Sequence, residues 1–472
     1  MPVFFNGATI SIPGAYSKID ASGMVTVSAG GQRILAIIGE AEGGIPQTPI
    51  YFNNPIAARN TFIAGDLLEG MKVSWNPSNE LPGADIIVGM RVNAATQASH
   101  VLLGSDVAES LKLTSRVYGS IYNYEVKVID NTGKRTLCVK ETTTGAEEST
   151  PECTTLDELV GYVNNKFNLV TATKLGAELP SIEASYTPFE TAGTNPAPVS
   201  TDWETCIEKL VSLVQVDGIV PFTESETIQT LFKNHVLSMS ALKIRKERRI
   251  FVGHPIGETV EQIKTRAFNL GTTRAVLCTP GIKLSIGGEV VTKSSLYTAC
   301  AVAGLWAGGD PAEPLTFKYL NCLGLEKEYN DLELESLLNS GVLPLQTAIG
   351  KGYRIVQAIT TYLTDANLVY RELSMATVAD LMSRNIRSTL EDMYVGKKGL
   401  ADLPASVKNT VTSLLSQFEK LGWIAGSESV PAFRNIVVFK EATVVNVEYE
   451  ASIAEPNNFI LITSHFRSAN VA

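Results

Sequence analysis

The chain has 472 residues, 44% of them hydrophobic and 19% charged, with mean hydropathy +0.10. That length predicts several domains, and that balance belongs to a chain that buries large cores rather than a disordered one. Lys plus Arg number 39 against 49 Asp plus Glu, a net charge of −10, which disfavours nucleic-acid binding as the main task. Two uncharged runs, 43–58 and 294–309, have 16 residues each, short of the ~20 that a spanning helix needs. The second reads as a buried helix, and no direct membrane insertion is expected. The N-terminus has no basic region or long apolar stretch of a signal peptide. Six scattered cysteines without a C-x-x-C pair read as buried thiols in a reducing compartment.

In chain order, Val3, Phe4, Phe5, Ile10, Ile12 and Tyr16 are strand formers interrupted by Gly7 and Pro13-Gly14. This pattern predicts an edge strand or extended arm. Short apolar runs follow at 33–38 (RILAII), 85–92 (DIIVGMRV), 217–222 (DGIVPF), 249–253 (RIFVG) and 274–278 (RAVLC). Between them, Cys206, Ile207, Leu210, Val211 and Val214, and then Ile228, Leu231, Phe232, His235 and Val236, keep the three-four spacing of helix faces. Strands alternating with helices predict a mostly parallel sheet covered on both sides.

The pattern changes between 101 and 196. Residues 111–117 (LKLTSRV), 124–129 (YEVKVI) and 136–140 alternate apolar with polar, around a turn at Asp130-Asn131-Thr132-Gly133. From 140 to 190 nine acidic residues face three lysines. An acidic β-rich insertion is expected, leaving through the Pro- and Thr-rich linker 187–201. The last third predicts a strand over 353–361, a helix begun by Thr377 with Asp380 and ended by Gly396, and a second helix from Ser406 to the stop at Gly422. Strands over 435–439, 443–449 and 459–463 (FILIT) close it. The expected fold class is α/β with mixed α+β parts. The expected divisions are an arm over 1–28, a core over 29–100 and 197–350, an inserted outer domain over 101–196 and a C-terminal domain over 351–472.

Chemistry is thin. Gly133-Lys134 and Gly350-Lys351 lack the following Ser or Thr of a phosphate loop, and Glu40 and Glu42 in the turn after the first strand would repel a phosphate. The four histidines, His100, His235, His254 and His465, have no paired ligand spacing. His235 reads as a core histidine, while His254 and Cys278 stand at strand ends. An α/β hydrolase-like enzyme using that pair is the alternative from another class. Lys243, Arg245, Lys246, Arg248 and Arg249 form one basic cluster, read as a solvated edge, as an ion-pairing contact with another acidic subunit or, against the acidic whole, as a nucleic-acid patch. No cofactor, metal or catalytic residue is expected. Apolar strand formers at both termini suggest arms that add strands to a neighbour's sheet, and such contacts build an open polymer when the operation does not close.

The chain resembles the contractile-tail sheath proteins of bacteriophages. Pro13-Gly14-Ala15-Tyr16 is similar to that family's opening, LKLT followed by YGSIYNYEVKV (111–114, 118–128) to the start of its inserted domain, and LYTACAVAGLWAGG (296–309) with Pro314-Leu315-Thr316 to its core helix and turn. The region from 352 to the end, with its two helices, Gly422-Trp423-Ile424 and FILIT, carries the strongest match. Ala15 stands where the family often has valine. The resemblance implies a structural subunit that polymerises around a tail tube and contracts to drive the tube through the host envelope. Implied partners are further copies through strand exchange, the tail tube protein, and baseplate and tail terminator proteins. It implies a place in the virion tail, with assembly in the host cytoplasm. A bacteriocin or secretion-apparatus sheath would read similarly. Linkage is expected from Phe4, Ile10, Ile12, Phe459, Ile460 and Ile462, and tube contact from Arg384 and Arg387.

Overall fold

The computed structural model describes residues 33–105, 107–397 and 402–465, with the backbone of 3–5 and 8–10. The chain divides into two compact units, Gln32–Ala376 with Asn457–Ala472, and Thr377–Pro456 with Met1–Gly31.

The larger unit is built on a nine-stranded sheet. Its strand order is Tyr319–Leu320, Gly352–Ile355, Val342–Ala348, Ala275–Thr279, Arg249–Val252, Gly218–Pro221, Leu35–Gly39, Ile87–Arg91 and Ile50–Phe52. The six strands from Val342–Ala348 to Ile87–Arg91 are parallel, and the outer ones antiparallel. The apolar runs of the sequence have no polar alternation because both faces are covered. Leu35 and Ile37 enter one core with Val276 and Cys278, while Ala36 and Ile38 enter a second with Ala275 and Leu277.

Helices Asp66–Trp75 and Ser295–Gly308 cover the first face. Every residue from Ser295 to Ala307 is buried, so this helix has no polar side. Helices Ser200–Ser212, Glu226–Met239 and Val260–Leu270 cover the second.

Between Gln97 and Pro188 a separate core forms inside the same unit. Two antiparallel sheets enclose it, one of strands Glu147–Ser149, Lys134–Glu141, Tyr124–Asn131 and Glu183–Pro188, the other of Val170–Lys174, Glu109–Tyr118 and Gln97–Leu103. Helix Leu156–Lys166 packs in it through Leu156, Leu159 and Val163, under a Thr155/Glu158 capping box. The alternating strand pattern predicts the β-rich character of this body but not the helix within it.

In the smaller unit, helix Leu403–Lys420 packs on an antiparallel hairpin of Phe433–Glu441 and Val444–Ala451. Trp423 is buried and stacks on Phe418 at 5.3 Å after the positive-φ Gly422.

Several boundaries differ from the sequence reading. The strand expected over 353–361 stops at Ile355, where pairing with Leu345 ends. The helix expected at Thr377 begins at Leu373, so Thr377 is a buried residue inside it rather than its cap. The next helix starts at Leu403, with Pro404 in the first turn where a missing N–H costs nothing. Residues 459–463 form no strand in the single chain. At the other end, Val3–Phe5 pairs with Ala8–Ile10 as a short hairpin instead of running on extended.

Candidate assembly surfaces

Among the described residues the hairpin of the smaller unit has two strands, and no third strand pairs with the outer edge of either. Arg434 Nε donates to Glu450 Oε2 at 2.6 Å across the pair, and Val437, Phe439 and Val444 are exposed. An apolar, open-edged ribbon of this kind is a ready acceptor for further strands.

The C-terminal segment is anchored within the larger unit through Asn458. Asn458 Nδ2 donates to Glu372 Oε1 at 2.7 Å, and Gln357 Nε2 donates to the same oxygen at 2.5 Å. Glu372 is buried, which raises its pKa against the pull of those bonds. Beyond this anchor, Phe459, Ile460, Leu461 and Ile462 are 82–94% exposed. They are not taken into the core of their own subunit. Of the N-terminal residues, Phe4 lies opposite Thr9 and Ile10 opposite Val3 in the hairpin register, and Ile12 falls outside the described residues. Arg384 and Arg387 lie on helix Leu373–Tyr394, and both are half-buried.

The residues considered for chemistry have structural partners. His254 Nδ1 lies 2.8 Å from Pro255 O, and a carbonyl only accepts, so Nδ1 carries the proton. Nε2 then accepts from Thr279 Oγ1 at 2.8 Å, and that oxygen accepts from Tyr329 Oη at 2.8 Å. Burial lowers the His254 pKa. Cys278 does not join it. The pleat sends adjacent side chains to opposite faces, so Thr279 meets His254 while Cys278 points into the first core, where burial raises its thiol pKa. The pair that the enzyme reading requires is absent.

The basic cluster splits as well. Lys243 and Arg245 are exposed, but Arg248 and Arg249 are buried, contrary to a simple solvated edge. Arg248 Nη1 donates to Leu210 O at 2.9 Å and Nη2 to Leu213 O at 2.7 Å, while Lys246 Nζ donates to Val211 O at 3.1 Å. These cations satisfy the last carbonyls of helix Ser200–Ser212, where the helix dipole also favours them. Arg249 lies over Trp306, its guanidinium 5.8 Å from the ring centre.

His235 accepts from the Arg248 guanidinium, Nε2 to Nη1 at 3.0 Å. Burial and the Arg248 charge lower its pKa to about 4. An unfolded imidazole titrates near 6.5, so the unfolded state takes the proton first as pH falls. The stabilisation is complete above that pH and is lost as pH drops through 4, about 3 kcal/mol in all. His235→Gln keeps an acceptor for Arg248 and does not titrate. The wild type's stability relative to this variant should therefore fall by up to about 3 kcal/mol from pH 7 to pH 4 in urea titrations. A pH-independent difference would contradict the assignment.

Arg91 was not singled out by any motif. It is fully buried at the end of its strand, and burial lowers its pKa to about 10 against the pull of Glu42. Its guanidinium donates to Gly44 O at 3.0 Å, to Tyr118 O at 3.2 Å and to Asn195 Oδ1 at 2.6 Å. It thus joins a loop of the parallel sheet to the end of strand Glu109–Tyr118 and to the linker that leaves the β-rich body. Arg91→Met should cost about 3 kcal/mol, because buried acceptors lose their donors. It should also speed proteolysis within 187–201. A melting temperature and cleavage rate equal to wild type would overturn this clamp.

A sheath tail protein of Desulfitobacterium hafniense superposes with TM-score 0.69 over 94% of this chain and 97% of its own, at 13% identity. One from Listeria innocua does so with TM-score 0.65 over 92% and 98%, at 15% identity. The fold is that of sheath tail proteins.

In sequence, residues 202–361 match the model of the phage tail sheath protein central domain. The tail sheath protein of Bacillus phage SP01 is 28% identical across 98% of this chain and 97% of its own length. A tail sheath protein of Staphylococcus phage Twort is 24% identical across 86% and 89%. Over nearly its whole length the chain is similar in sequence to phage tail sheath proteins.

Proposed function

We propose that this chain is the subunit of a contractile phage tail sheath, polymerising around a tail tube and driving the tube through the host envelope on contraction. The observations that carry the linkage are the exposed apolar run 459–462 beyond the Asn458 anchor and, separately, a hairpin that has no third strand among the described residues. A strand supplied by one copy completes the hairpin of another through main-chain hydrogen bonds. Phe4, Ile10 and Ile12 would link copies at the other end, and Arg384 and Arg387 would face the tube. Further partners on this reading are the baseplate and tail terminator proteins, and assembly takes place in the host cytoplasm. Support comes from the anti-feeding prophage helical sheath, which has a similar fold (TM-score 0.57) and is itself described in a contracted state.

Contraction on this reading needs no nucleotide, because the extended lattice relaxes to one with more buried contact. Each additional 100 Å² of apolar surface buried per subunit contributes about 2.5 kcal/mol. The test is to expose assembled tubes to sub-denaturing urea and measure them by electron microscopy. Tubes should shorten and widen with their subunits still folded. Tubes that dissolve or keep their length at every concentration would sink the contractile reading.

A further inference from the structure

The parallel sheet changes winding direction between Leu35–Gly39 and Gly218–Pro221, since the chain places Ile87–Arg91 on one side of the first strand and the later strands on the other. At the carboxyl ends of these strands the connecting loops part, and such switch points leave a crevice. Here the crevice is a cleft of about 830 Å³. Trp203, Phe222, Ile228 and Leu296 form its apolar floor. Glu40, Asp66 and Glu224 stand at its rim against one cation, Lys293. Exposed Val199 and Ile256 also line it.

The opposite end of the same sheet carries a turn of complementary character. Residues 241–246 join helix Glu226–Met239 to the start of strand Arg249–Val252. Ile244 N and Arg245 N both donate to Ala241 O at 2.9 Å, and Lys246 N donates to Met239 O at 2.9 Å. Arg245 adopts a φ of 61°, which closes the turn tightly. This rigid turn holds Leu242 91% exposed and Ile244 43% exposed, with Lys243 and Arg245 beside them. A preorganised apolar tip loses little freedom on docking.

Helix Glu226–Met239 connects the two features, for its cap Ser225 lines the cleft and its far end leads into the turn. Its 14 residues span about 21 Å. Turn and cleft therefore lie at opposite ends of one rigid sheet and cannot meet within a chain.

We propose that the basic turn of one copy docks in the acidic cleft of the next, Leu242 seating on the apolar floor and Lys243 and Arg245 meeting the acidic rim. The occupant is a second copy because this chain presents an exposed apolar tip with basic neighbours at one end and an apolar floor with an acidic rim at the other. Such a contact is head-to-tail, and repeated it extends a polymer instead of closing a dimer. The inference rests on the sheath reading and adds a core-to-core contact independent of the arms.

Paired cysteines test it. Leu242→Cys and Ile256→Cys are both surface changes that leave the fold undisturbed. Polymer of the double variant, oxidised and run under denaturing conditions, should give a ladder of multimers that neither single variant gives. In parallel, Lys243→Glu with Arg245→Glu should raise the critical concentration for assembly at least tenfold, and Glu40→Lys with Glu224→Lys should restore it. Assembled polymer with no ladder and an unchanged critical concentration overturns this contact while leaving the sheath reading intact. A wild-type chain that forms no polymer at any concentration, with tail tube protein added, overturns the sheath reading itself, and this contact with it.

Discussion

Replacing Ile460 and Ile462 by aspartate should abolish polymerisation while the subunit folds as before. Both side chains are 82% exposed, so the change removes no packing in the single chain, and stability should move by less than about 0.5 kcal/mol. In an added strand, alternate residues share a face, so these two isoleucines enter the neighbour's apolar surface together. Burying each contributes about 1.5–3 kcal/mol, and losing both weakens the contact by a factor of about 10² to 10⁴. A charge placed in that interface without a partner adds to the loss. Deleting residues 1–20 is expected to act in the same way at the other terminus. The readouts are a thermal melt and a sedimentation series. Unchanged assembly with an unchanged melt would eliminate the C-terminal strand as a linker.

The second large effect lies in the core. Helices Asp66–Trp75 and Ser295–Gly308 approach backbone to backbone, and Ser74 Oγ donates to Cys300 O at 2.8 Å. A Cβ at Gly304 would stand 2.3 Å from Ser74 O and 2.7 Å from Ser74 Cα. Backbone cannot step aside as a side-chain tip can, so Gly304→Val must push the helices apart in a core covered on every side. The expected cost is about 3 kcal/mol or more, seen as a lowered denaturation midpoint. Gly161→Ala is the control, since nothing lies within 4 Å of its Cβ position and it sits inside a helix. That change should stabilise by about 0.5–1 kcal/mol. Equal midpoints for Gly304→Val and wild type would show that the two helices do not pack as described.

The parallel strands were legible in the sequence because burial on both faces leaves continuous apolar runs such as RILAII and RAVLC. The fully buried helix was legible for the same reason, its 294–309 run holding no charge. Its close approach to Ser74 was not, because Gly304 reads as a weak helix residue until the facing backbone is known. Thr377 with Asp380 has the spacing of a helix start, yet the helix begins at Leu373 and buries Thr377, so burial outweighed a local capping pattern.

The site residues divide in a similar way. The apolar ends drew attention because strand formers without a core to join need a partner. Arg91 escaped notice, since its three acceptors come from positions 44, 118 and 195, which no local spacing connects. The basic cluster looked uniform as a string of letters, but the start of strand Arg249–Val252 carries Arg248 and Arg249 inward and leaves Lys243 and Arg245 outside.

The most direct measurement is negative-stain electron microscopy of the purified chain across a concentration series, alone and with tail tube protein added. Long hollow striated tubes, whose number rises sharply above a critical concentration, are the predicted result. Compact monodisperse particles at every concentration, with tube present, would contradict a sheath.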